Sequence, residues 1–191
     1  MLKAIWNRIK SLRKGNRLEK IGNLKDNLLA DLGNIDHKMA KEITNLAVQS
    51  CNIHRQLKIL QRDSRFSREE LLVFDNKAMA FEEGIYLRME IRQIIRDIAR
   101  RLEADNKACQ SFLDMELNKS PQESWLSCLN NASPDKSSEL ETDYSRLLYV
   151  LAIFKNDIIE NEEKLSGNSE TKPLSSKSSK SASYFSFTKP F

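Results

Sequence analysis

The chain has 191 residues, of which 30% are charged and only nine are Gly or Pro. So few breakers among abundant Leu, Ile, Lys, Glu and Asn argue against a β or α/β fold and for long helices. The net charge of +4 is unevenly placed: residues 1–20 hold seven basic side chains against Glu19 alone, and the remaining chain carries −2. That pattern excludes a uniformly basic protein and describes a basic head on a near-neutral body.

The first element is the opening stretch. Leu2, Ile5, Trp6, Ile9 and Leu12 recur at three- and four-residue steps, which places them on one helical stripe. Lys3, Arg8, Lys10, Arg13 and Lys14 fill the flanks and the far side. Gly15-Asn16 reads as a stop, because Gly tolerates left-handed backbone, so residues 1–16 are expected to form a basic amphipathic helix, with a soft break because helical periodicity resumes at once.

From residue 17 a second stripe runs Leu18, Ile21, Leu24, Leu28, Leu32, Ile35, Met39, Ile43, Leu46, Ser50, Ile53, Leu57, Leu60. Its steps average about 3.5 residues, the coiled-coil period. A turn is expected near 62–67. There Ser67 and Glu70 have capping-box spacing, flanked by Phe66 and Leu71 at hydrophobic-staple positions. The third stripe is Leu71, Phe74, Ala78, Phe81, Ile85, Met89, Ile91, Ile95, Ile98, Leu102, Cys109, Phe112, with Gly84 and Asp105 as minor interruptions. Two stripes of similar length around a capped turn predict a long antiparallel, coiled-coil-like helical hairpin over 17–118.

Residues 119–165 predict two shorter helices that pack back on the hairpin. Ser120, Pro121 and Glu123 offer N-cap, N1 and N3 for a short helix carrying Trp125, Leu126 and Leu129. Ser138 and Glu141 would cap a last helix. Its Leu140, Tyr144, Leu147, Leu148, Leu151, Phe154 and Ile158 make a broad apolar face suited to a bundle. From 166 to 191 Ser and Lys dominate and periodicity ends, so this reads as a disordered tail. Its aromatic end, Tyr184, Phe185, Phe187 and Phe191, is a candidate partner motif. The fold expected is therefore all-α.

Catalytic signatures are missing. No phosphate-binding glycine loop or nucleophile elbow occurs. His37 and His54 are the only histidines, and they are too far apart on one helix to share a metal. Cys51, Cys109 and Cys128 are odd in number and widely spaced, which reads as free thiols in a reducing compartment. Adjacent acids such as Glu82 and Glu83 point apart on a helix. The expectation is a protein that is not an enzyme, with no cofactor, metal or small-molecule substrate. The longest apolar run, residues 147–154, is far short of the roughly 20 residues of a spanning helix.

The basic head then carries the functional reading. At an anionic membrane its stripe and Trp6 would enter the interface while Lys and Arg meet headgroups. Nucleic acid would use the charges but not the stripe. A targeting peptide would be richer in Ser and Arg. Packing on the protein's own bundle is the plain alternative. The order of parts resembles, in layout, the phage-shock and ESCRT-III class of membrane-remodelling proteins, and that resemblance carries over no site residue. The expectation is a cytoplasmic scaffold, peripheral at an anionic membrane, that binds protein partners and self-associates. The alternatives are a nucleic-acid-associated adaptor using the same basic head and an effector or chaperone-like binder using the aromatic tail.

Overall fold

The computed structural model describes residues 2–62, 66–134 and 141–167; for residues 2–14 and Glu141 it describes the backbone alone. Its five elements are all helices: α1 (Leu2–Leu60), α2 (Arg68–Glu103), α3 (Lys107–Glu116), α4 (Trp125–Ala132) and α5 (Glu141–Gly167). Among the described residues there is no strand. The periodic apolar positions and the scarcity of breakers account for this outcome.

α1 packs along α2, and facing ion pairs fix their relative direction: His54 lies opposite Glu82, Glu42 opposite Arg88 and Asp36 opposite Arg92. Rising numbers on one helix meet falling numbers on the other, so the two run antiparallel. Ser67 caps α2 as its sequence requires. The Ser67 hydroxyl accepts from the Glu70 N–H at 3.2 Å, and the Ser67 N–H donates to the Glu70 carboxylate at 2.8 Å. The Ser67 N–H, together with the Ser67 hydroxyl, which donates to the same carboxylate oxygen, holds the Glu70 carboxyl below its usual range.

α5 packs along α2 as well, over the same core. Tyr144 meets Arg88, Lys155 meets Asp97 and Glu162 meets Arg101. Together with α3 and α4, α5 turns the lower part of the molecule into a thick body. Leu28, Leu32 and Met39 of α1, Ile91 and Ile98 of α2, and Leu147, Leu151 and Phe154 of α5 are completely buried there. Phe154 stacks on Trp125 at 4.6 Å and on Phe112 at 5.9 Å, tying α3, α4 and α5 together.

α5 begins at Glu141, one turn before Tyr144 reaches Arg88. Farther out, α1 and α2 pair only with each other among the described elements. This two-helix arm has its own thin seam of Ile53, Leu57 and Ala78, separate from the main core.

Four local expectations are corrected. α1 passes through Gly15-Asn16 without a break, because a single interior glycine weakens a helix by only about 1 kcal/mol. The second long helix stops at Glu103, where Asp105 takes positive φ (45°) and Asn106 starts α3 by accepting from the Cys109 N–H at 2.8 Å. The short helix starts four residues later than expected, with Ser124 rather than Ser120 as N-cap. The Ser120 hydroxyl instead donates to the Glu123 carboxylate at 2.9 Å. Two stripe members, Leu18 and Met89, are exposed. Ser138, the expected cap of α5, lies outside the described residues.

Candidate interaction surfaces

The head is helical backbone continuous with α1. Ile21, Leu24, Leu28, Leu32, Ile35 and Met39 mark the side of α1 that meets the body, and Arg17 continues it in a bidentate pair with Asp114 of α3 at 2.5 and 2.6 Å. That row, stepped back at helical spacing, reaches Lys14, Lys10, Asn7 and Lys3. The positions of Ile5, Ile9 and Leu12 lie on another side of the same helix, rotated by roughly a quarter to a half turn, with Leu2 a little under a quarter turn away. Trp6, about five turns before Leu24, lies instead at the edge of the row that meets the body. The centre of the head's apolar stripe is thus not in line with the apolar side that builds the body, and Trp6 bridges the two. Arg8 and Arg13, the remaining basic candidates, lie on the same helical backbone.

An open groove of about 510 Å³ sits at the root of the head, lined by Asn16, Arg17, Lys20, Leu117 and Asn118. A second cleft of about 230 Å³ lies between α3 and α5 and includes Glu116, Lys119, Asp157 and Lys164. Glu116 is buried for a local reason. One carboxylate oxygen accepts from the Trp125 N–H at 3.1 Å, and the other meets the Lys119 ammonium. A carboxylate at the first turn of α4 complements the helix dipole and docks α4 on α3. It also explains why the helix starts at Trp125. Among the described residues the Trp125 Nε1–H finds no acceptor.

The joint between body and arm is polar. Arg88, buried on α2, donates from Nε to Glu42 at 2.8 Å and from its guanidinium to the Gly84 carbonyl at 2.9 Å. It also covers the ring of Tyr144 at 3.8 Å. Burial, then the hydrogen bond and charge of Glu42, push the Tyr144 hydroxyl up to about 12, with Arg88 opposing. The sign follows from the neutral form being favoured in the fold. This contribution to stability is complete below the ordinary tyrosine value near 10 and is lost as pH rises through about 12.

The arm exposes apolar side chains on both helices. On α2, Leu72, Met79 and Tyr86 are 56%, 53% and 68% exposed and repeat every seven residues along one side. Glu69, Asp75, Glu82 and Glu83 surround them. On α1, Val48 and Ile59 are exposed among Arg55, Lys58 and Arg62, and residues 43–62 contain no acid.

No described cluster resembles a reaction centre. No three His, Cys, Asp or Glu side chains among the described residues converge to hold a metal. His54 faces Glu82 at 3.8 Å on the arm, far from the clefts. Cys109 is buried with its Sγ donating to the Leu102 carbonyl at 3.1 Å, and burial pushes its thiol up, away from the reactive thiolate. No helix among the described residues is long and apolar enough to cross a membrane.

Of the residues singled out in the sequence, the head positions are placed by backbone only, and Tyr184, Phe185, Phe187 and Phe191 lie outside the described residues. The α2 side of the arm and the Arg88 joint were not singled out. A seven-residue repeat of Leu72, Met79 and Tyr86, offset from the seam and ringed by acids, is a signal that could have found the first. No protein-family model, curated protein or solved structure matches the chain.

Proposed function

We propose that this is a non-enzymatic, coiled-coil-like interaction protein. Its hairpin of α1 and α2 is a rod that self-associates, and its basic head holds the rod at an anionic membrane surface. The observation that carries this reading is the register of α1. The row that faces the body becomes Lys14, Lys10, Asn7 and Lys3 in the head, so most of the apolar stripe, Ile5, Ile9 and Leu12 above all, is left for a partner other than the protein's own bundle, with Trp6 at its edge. A stripe of five apolar positions flanked by five basic ones suits a lipid interface, where each Lys or Arg near anionic headgroups contributes about 1 kcal/mol.

The test is co-sedimentation of the full chain with vesicles of anionic and of zwitterionic lipid. Binding to the anionic vesicles alone is expected, falling with salt. Trp6→Glu should abolish it while helical circular dichroism is unchanged. Sedimentation of Trp6→Glu equal to that of the parent chain overturns the reading.

A further inference from the structure

We infer that the acidic, apolar side of α2 in the arm is the docking surface for the basic head of a second copy of this chain. The inference rests on the self-association in the reading above and names both surfaces of it.

Three observations select this occupant. The first is charge. Leu72, Met79 and Tyr86 are framed by Glu69, Asp75, Glu82 and Glu83, with Arg68 beside Leu72 at the end of the ladder, so the frame is net acidic, whereas the head carries five Lys or Arg and no acid. The arm's other exposed apolar side, at Val48 and Ile59, is framed by Arg55, Lys58 and Arg62 and would repel the head, so electrostatics chooses between two otherwise similar faces. The second is size. From Leu72 to Tyr86 the ladder is about 21 Å long, and from Leu2 to Leu12 the stripe is about 15 Å, so one helix can lie along the other. The third is reach. Glu82 stands opposite His54, and residues 12 and 54 belong to one unbroken helix, about 60 Å apart. A head cannot bend back to its own arm, so only another molecule can supply it.

Such a junction is heterologous: the two partners contribute different patches. That property gives a specific test by analytical ultracentrifugation of the full chain at low salt. The parent chain should sediment as more than a monomer. Met79→Glu and Trp6→Glu should each weaken association by about tenfold or more. An equimolar mixture of the two should restore a two-chain species, because the intact head of one meets the intact arm of the other. Met79 is half exposed, so helical circular dichroism of Met79→Glu should match the parent.

A parent chain that is monomeric overturns both the self-association and this inference. A parent that associates while Met79→Glu associates equally overturns this inference alone. So does a mixture that stays monomeric while each variant is monomeric. Because lipid and arm would compete for one head, vesicle binding by Met79→Glu is expected to match or exceed that of the parent chain; weaker binding overturns this inference and leaves the membrane reading to the Trp6→Glu test.

Discussion

The body and the arm are built from the same two helices, yet they are different materials. In the body α1 and α2 are covered by α3, α4 and α5, and side chains such as Leu32, Ile98 and Phe154 lose all contact with solvent. In the arm the same helices have only each other. Even the seam residues Ile53 and Leu57 keep 8% of their surface, and Leu72, Val73 and Met79 keep more than half. Two helices can bury one stripe each, whereas a bundle buries a broad face. The contrast teaches that burial is concentrated at one end of the helix pair and, among the described residues, exposed apolar surface at the other.

Three experiments probe that contrast. The largest effect is expected for Phe154→Ala, which removes the ring between Trp125 and Phe112. A loss of about 3–5 kcal/mol in denaturant unfolding is expected. A loss under 1 kcal/mol would mean that the aromatic stack does not hold the body. At the joint, Arg88→Met leaves the partly buried Glu42 without its counter-charge and should destabilise by about 2–3 kcal/mol. Adding Glu42→Gln should recover part of this, giving a double-mutant coupling above 0.5 kcal/mol. Additive losses would show that the pair does not link body and arm. At the tip, Ser67→Ala removes the N-cap of α2 and should lower stability by about 1 kcal/mol. Hydrogen exchange should quicken in the first turns of α2 and stay unchanged around Ile98.

The body was the more legible of the two regions in sequence. Leu28, Leu32, Ile35, Met39, Ile91, Ile95, Ile98 and Leu102 occupy the stripe positions that helical spacing assigns them, and all are buried. The Ser67–Glu70 cap was legible because its chemistry is local. What failed depends on third partners. Helical spacing from Ile85 to Ile91 passes through position 88, but Arg88 is charged, so the stripe takes its neighbour Met89 although the step from 89 to 91 is not helical. Glu42 of α1 and Tyr144 of α5 are the partners that let Arg88 be buried. The break at 104–106 lay in residue types rather than periodicity: Asp105 accepts positive φ and Asn106 caps, while Cys109 and Phe112 stay buried beyond it. The late start of α4 came from Glu116, nine positions before Trp125, a partner no local pattern reveals. For the surfaces, the head was legible as a stripe, but the rotation of Ile5, Ile9 and Leu12 away from the body required knowing that α1 continues through Gly15.

The capped turn also orders the way the rod can assemble. Counted along the chain, Glu42 and Arg88 are 46 residues apart, Asp36 and Arg92 are 56, and Arg17 and Asp114 are 97. Closing a loop becomes less favourable as it lengthens, by about 0.6 kcal/mol for each doubling, unless a shorter loop inside it is already shut. The least demanding route is a zipper that starts beside Ser67 and travels toward the head, with each closed rung shortening the next loop. The arm, thinnest in the finished molecule, is then the first part a newly made chain can complete, and the well-packed body waits for α5 to emerge.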